Sequence, residues 1–169
     1  MRQRYKILFT LLIFALTIRA YSKSEYEKIA SSITVILKTA KKEYKLGDKV
    51  VIIAYIRNIG KKTIEINKGF SKIRDPYFFV NDTGGILTAS SYHVVITEKK
   101  PNKTFLEPGK EIKFASIDFL KVALKYDKQK NDLIGSIVFS STPVIYFYKR
   151  DKLTFCFADC NEIKFKIEK

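Results

Sequence analysis

From Ile33 to Lys169 the chain alternates apolar and polar residues in short runs, and most runs end at Gly, Pro, Asn or Asp. A repeat of two is the repeat of a β-strand, whose successive side chains point to opposite faces. Glu162–Glu168 is the cleanest run, with Ile163, Phe165 and Ile167 expected inward and Glu162, Lys164 and Lys166 outward. Lys49–Asn58 is apolar on both faces, Val51, Ile53 and Tyr55 on one and Val50, Ile52 and Ala54 on the other, so it is expected to be a central strand. About nine such strands, spaced roughly 8–15 residues apart with no alternating long helices, predict an all-β fold, an antiparallel two-sheet sandwich in a single domain over 33–169. Composition agrees, since 46% hydrophobic residues are too many for a disordered chain.

Local signals divide the strands. Asn58-Ile59-Gly60-Lys61-Lys62 reads as a turn after the central strand, and Thr63–Asn67 as the next strand, with Ile64 and Ile66 inward. Residues 68–75 read as a loop ending at Pro76, and Asn81-Asp82-Thr83-Gly84-Gly85 as a hairpin turn, because its glycines accept positive φ. Glu98–Lys103 is expected to be a polar loop, and Phe105–Gly109 a turn. Ile134–Phe139, Val144–Tyr148 and Leu153–Phe157 are further strands. Ser116–Lys128 departs from the repeat. Asp118, Lys121, Lys125 and Lys128 fall at helical spacing opposite Phe119, Leu120, Ala123 and Leu124, so a short helix is expected there, with Ser116 as a cap. Asp118-Leu120-Val122-Leu124 also fits the two-residue repeat.

The first 22 residues are of a different kind. Arg2, Arg4 and Lys6 precede the apolar run Ile7–Ile18, and Ala20 and Ser22 supply small residues before a cut between Ser22 and Lys23. This is the pattern of a secretory signal peptide, with 23–32 a polar lead-in to the domain. The apolar run has 12 residues, where a spanning helix needs roughly 20. Export to the periplasm or the exterior is the expectation, without stable membrane insertion after cleavage; an uncleaved anchor is the alternative. Cleavage removes four basic residues and no acids, taking the net charge from +15 to +11. Such a charge favours an anionic surface. Nucleic acid is not the expected partner, because only Arg57, Arg74 and Arg150 remain to make bidentate contacts.

The run Lys42–Val50, with its Tyr44-x-x-Gly47-Asp48 turn, and then Ile56-Arg57-Asn58-Ile59-Gly60, resembles a recurring exported bacterial Ig-like domain. The likeness continues through Tyr77–Gly85, the Leu106-Glu107-Pro108-Gly109 turn and the Glu162–Ile167 strand. The order of these motifs is also similar to the Bacillus intracellular proteinase inhibitor domain family. The resemblance implies an Ig-like sandwich of about 7–9 strands. The signal peptide, the lack of Trp and the helical 116–128 segment depart from the inhibitor pattern. No reactive-site residue is carried over.

Few side chains suggest chemistry. Cys156 and Cys160, in an exported chain, are expected to form one disulfide clipping the last hairpin, a loop so short that closure contributes only about 2 kcal/mol. The same Cys-x3-Cys spacing, with His93, offers soft ligands to copper(I) and a redox role as an alternative. His93 is the only imidazole, and a catalytic one needs a neighbouring Ser or Cys nucleophile, which the sequence does not point to. Asp75, Asp82, Asp118 and Asp159 sit in separate segments, mostly turns; Asp82 or Asp159 as a calcium ligand is the alternative to backbone capping. The sequons at Asn81 and Asn102 matter only in a eukaryotic secretory route. No catalytic residue, cofactor or resident metal is expected. Tyr77-Phe78-Phe79 and Tyr146-Phe147-Tyr148 place rings on both strand faces, as sandwich core with tyrosines along the surface, or as an aromatic and lysine-lined binding face.

The expectation is therefore an exported, non-catalytic domain that binds a protein or cell-envelope component through loops or a sheet edge. Proteinase inhibition through an exposed loop at 98–108 is the alternative, and a copper or redox role through Cys156 and Cys160 is the second.

Overall fold

A computed structural model describes residues 24–80, 85–87, 102–124 and 133–169, with side chains described at all of these except 74–80, 85–87 and 124. The predicted signal segment, including Ser22 and Lys23, and the 81–84 turn, Val94–Thr97 and His93 lie outside the described residues.

The order is α1 (Glu25–Ala30), β1 (Ile33–Thr39), β2 (Glu43–Lys45), β3 (Val51–Asn58), β4 (Ile64–Val80), β5 (Gly85–Leu87), β6 (Lys103–Leu106), β7 (Glu111–Asp118), α2 (Phe119–Leu124), β8 (Gly135–Lys149), β9 (Lys152–Phe157), β10 (Asp159–Cys160) and β11 (Ile163–Glu168). Sheet I runs β10-β1-β3-β7. Sheet II runs β2-β11-β8-β4-β5, with β6 added to β4 and β9 to β8. The fold is an all-β sandwich, as the alternation predicts. It is mixed rather than purely antiparallel, because β10 joins β1 and β2 joins β11 in parallel.

The core lies between the sheets. Val50, Ile52, Ala54 and Ile56 of the β3 region are fully buried, and β3 is central, as its apolar faces predict. From β11 come Ile163, Phe165 and Ile167, with the intervening residues exposed. Phe119 sits edge-on to both Phe139 and Phe165, at 6.2 and 5.1 Å, and anchors α2 in the core. That helix begins later than predicted. Ser116 belongs to β7, and the cap is Asp118, whose carboxylate accepts from the Lys121 amide.

Two predicted interruptions are absent. β4 and β8 are each one long strand, where the sequence reads as shorter strands broken by loops. β4 keeps its place by slipping register twice against β8, between Asn67 and Lys72 and between Arg74 and Tyr77. At the first slip the Ser71 hydroxyl replaces the lost backbone pairing, accepting from the Tyr146 amide at 3.2 Å and donating to the Asn67 carbonyl at 2.9 Å. The second slip spans Pro76, which has no N–H for a ladder.

Turn chemistry closes the strands. Asp48 accepts from the Lys45 amide at 3.0 Å around Gly47, whose φ of +103° suits glycine. Glu107–Lys110 is a type II turn, with Pro108 second, Gly109 third at φ +75° and Lys110 N–H on the Glu107 carbonyl. Asn58 is fully buried and ties two turns together. Its Nδ2 donates to the Lys62 and Leu106 carbonyls, both at 2.8 Å, and its Oδ1 accepts from Gly60 N–H at 2.9 Å. A Cβ on Gly60 would stand 2.5 Å from Ser32 Oγ, so only glycine fits there.

Candidate functional site

The outer face of sheet II carries a continuous row of rings. Among the described residues β9 pairs with β8 alone and stands at an edge, and its residues Leu153, Phe155 and Phe157 point to solvent while Thr154 and Cys156 turn inward. That inverts the usual arrangement, in which the larger apolar residues of an alternating strand face the core. The partly exposed Tyr26 ring of α1 packs 5.9 Å from Phe147, the buried residue opposite Thr154. Tyr26 also donates its hydroxyl to the Phe155 carbonyl at 2.8 Å. α1 thereby blunts the open edge of β9, a recurring defence against strand-to-strand aggregation. What remains available is the face rather than the edge.

Register assembles that face. Phe155 lies opposite Tyr146, which lies opposite Asn67, which lies opposite Lys103. In the next row Phe157 lies opposite Val144, and Val144 opposite Lys72. Ring centroids run from Phe70 to Tyr146 (6.1 Å), to Phe155 (5.6 Å) and to Phe157 (6.1 Å). The planes are inclined at 71°, 42° and 89°, so the row is corrugated rather than flat. Leu153, Phe155 and Phe157 are 41%, 46% and 59% exposed. With side chains of ~150–250 Å² each, they leave roughly 280 Å² of apolar surface open, close to the ~300 Å² lower end for the largest patch on a typical monomer, a patch that is often functional.

Cations border the rings. Lys103 stands 4.1 Å over the Tyr148 ring and 3.0 Å from the Glu65 carboxylate, which raises its pKa. At the hairpin tip, Lys149 and Arg150 both reach Glu25 of α1, at 3.7 and 3.3 Å. Of the two aromatic runs singled out in the sequence, the second places Tyr146 and Tyr148 on this face and Phe147 in the core, while the side chains of Tyr77, Phe78 and Phe79 lie outside those described. Phe70, Phe155, Phe157 and Lys103 were not legible as members, because only the cross-strand register brings them together.

The two cysteines are free thiols in this structure. Their surroundings differ from the expected last hairpin. β9 and β11 do not pair with each other; both pair with β8, along 144–149 and 135–139. Between them the chain crosses to sheet I, where Cys160 lies opposite Val35. A Cys156–Cys160 bond would thus link the two sheets rather than clip a hairpin. Burial pushes both thiols up, from 9.0 to about 11, with a Ser141 hydrogen bond partly opposing this at Cys160. Both are protonated at neutral pH, which makes them weak nucleophiles and weak metal ligands. Among the described residues no three His, Cys, Asp or Glu side chains gather as a metal site.

Asp159 and Glu27 line an open cleft of about 360 Å³ beside Phe157. Glu27 is committed elsewhere, because its carboxylate accepts from the Ser24 amide at 2.7 Å in the capping box of α1. Asn161 is likewise structural. Its amide accepts from Leu37 N–H at 2.7 Å and donates to the Leu37 carbonyl, extending the β10–β1 ladder with a side chain. The loop expected at 98–108 is described only from residue 102, and Lys103–Leu106 is a strand paired with β4 rather than a free loop. Phe105 on it is 71% exposed.

No protein-family profile matches the chain, and no curated protein matches it. Solved structures give distant likenesses. Spo0M, a sporulation control protein from Bacillus subtilis, is 15% identical with a TM-score of 0.39, over 82% of this chain and 50% of that one. A β-glucosidase from Listeria innocua in complex with glucose is 13% identical with a TM-score of 0.32, over 81% of this chain and 16% of that one. A protein from Archaeoglobus fulgidus is 12% identical with a TM-score of 0.28, over 80% and 94%. The chain thus spans half the length of Spo0M and about a sixth of the glucosidase. These are what the chain is similar to, and they are remote.

Proposed function

We propose that this chain is an exported, non-catalytic Ig-like domain that binds a protein or envelope component through the outer face of sheet II. One observation carries the reading: large apolar side chains of an edge strand face solvent in a continuous ring row, where a strand with no partner would present polar residues. Covering roughly 280 Å² of such surface contributes up to about 7 kcal/mol before the cost of association. The basic leader and the Lys-rich surface support an envelope setting.

The test is co-sedimentation of the purified protein with isolated cell envelopes, wild type beside Phe155→Ser/Phe157→Ser. Both positions are about half exposed, and a thermal melt of the variant checks that it is folded under the conditions of the assay. Binding at micromolar concentration by the wild type and its loss in the variant is the expected result. Equal binding by the two proteins, or none by either, would overturn the proposal.

A further inference from the structure

We infer that the component engaged by this face is an anionic lipid surface, to which the domain adsorbs without spanning it. The inference rests on the binding reading above and names its partner.

Three features select lipid. The first is the shape of the row. Rings inclined at 42° to 89° give no flat platform for a sugar ring. Flexible acyl chains and glycerol backbones fill between such rings without demanding a fixed geometry, as at the apolar side of interfacial elements. The second is charge. The cross-strand rows run from Phe155 and Phe157 at the β9 margin to Lys103 and Lys72 on the far side, and Arg150 stands in the turn that closes the hairpin end. Apolar wedges bordered by cations match a bilayer with anionic headgroups, where each basic residue near the surface adds to binding. The acids nearby, Glu65 and Glu25, are each held by one or two of these cations and offset part of the field.

The third feature is where the chain enters. Ser24, the first described residue, precedes Glu25, and Glu25 is bonded to the tip of the β8–β9 hairpin. The 23 residues before it carry the apolar run Ile7–Ile18 and its basic start. Five residues separate Ile18 from Ser24, which spans at most roughly 20 Å when extended. While that leader is still attached to a membrane, the hairpin end of the ring row is held beside the same bilayer.

The experiment uses the purified protein with vesicles of phosphatidylcholine, with and without phosphatidylglycerol. Expected is sedimentation with the phosphatidylglycerol vesicles, weakened by added salt. Phe155→Ser and Phe157→Ser should each lower partitioning roughly tenfold, and Lys72→Gln roughly fivefold. A polarity-sensitive fluorophore on Leu153→Cys should shift to the blue on these vesicles, and one on Lys113→Cys, exposed on sheet I, should not. Equal binding to uncharged vesicles, unchanged binding by the phenylalanine variants, or a shift at Lys113→Cys alone overturns the inference. Binding to envelopes that is lost after protease treatment, with none to vesicles, overturns the lipid partner and leaves the binding domain standing. Absence of binding to both removes both.

Discussion

Replacing Asn58 with alanine should cost this domain a large part of its stability. The side chain is fully buried and makes three hydrogen bonds, to the Lys62 carbonyl, the Leu106 carbonyl and the Gly60 amide. The bond to Leu106 is buried, so its carbonyl meets the full penalty of about 2–3 kcal/mol for an unpaired polar group. The other two partners lie in a turn that water reaches in part, at about 1 kcal/mol each. The sum is about 4 kcal/mol, against a total of about 5–15 for a domain. Equilibrium urea unfolding measures it as a lower midpoint with an unchanged slope. Asn58→Asp sharpens the test, since it keeps the acceptor for Gly60 but turns a carboxylate toward two carbonyls. At neutral pH it should be at least as destabilised as the alanine variant. Burial raises the folded-state pKa of that carboxyl, so the extra penalty is absent below the unfolded value near ~3.9 and grows as pH rises through the folded one. A loss under about 1 kcal/mol for Asn58→Ala, or wild-type stability for Asn58→Asp at pH 7, would refute the tie between the two turns.

Other outcomes follow from local geometry. Gly60→Ala forces its Cβ against Ser32 and should lower the melting temperature, and Ser32→Gly in the same chain should restore most of the loss; no rescue would mean the strain lies elsewhere. Arg150 and Asp151 form the two-residue β8–β9 turn at φ 47° and 61°, a conformation that Asn-Gly adopts readily. Arg150→Asn/Asp151→Gly should therefore stabilise by about 1 kcal/mol in the same urea assay, even after losing an exposed ion pair to Glu25. The two thiols should resist iodoacetamide at pH 7–8 in the folded protein and react at once in denaturant. Because their folded pKa values are raised to about 11, the stability they contribute is intact below the unfolded value of 9.0 and is lost as pH climbs from there. Fast alkylation of the native protein at neutral pH would contradict the burial of Cys156 and the partial burial of Cys160.

The alternation made much of the sandwich legible. β3 and β11 could be placed, and for β11 the inner face named; β3 is apolar on both faces, so that Ile52, Ala54 and Ile56 are its core side emerges only from the packing. The lengths of β4 and β8 could not be read. A bulge looks in sequence like the end of a strand, and the Ser71 hydroxyl that carries β4 across its slip is an ordinary polar residue until Tyr146 stands opposite it. β9 was legible as a strand, but not which of its two faces is buried, because that depends on its pairing with β8, where Thr154 and Cys156 stand opposite the buried Phe147 and Ile145. The candidate site shares that dependence. Tyr146 and Tyr148 were visible as a pair of rings on one face, whereas Lys103, Phe155 and Phe157 join them only through pairings among β6, β4, β8 and β9.

The placement of β10 and β11 has a consequence for how the chain folds. β11 sits inside sheet II between β2 and β8, and β10 sits beside β1 at the margin of sheet I. Each sheet therefore joins strands from the two ends of the domain. The β8–β9 hairpin can form from neighbouring residues alone, but neither sheet is complete before the 159–168 segment is available to pair. Closing contacts so distant in sequence is slow. Completion of both sheets therefore waits on the same ten residues, so the two halves of the sandwich are expected to form together rather than one after the other.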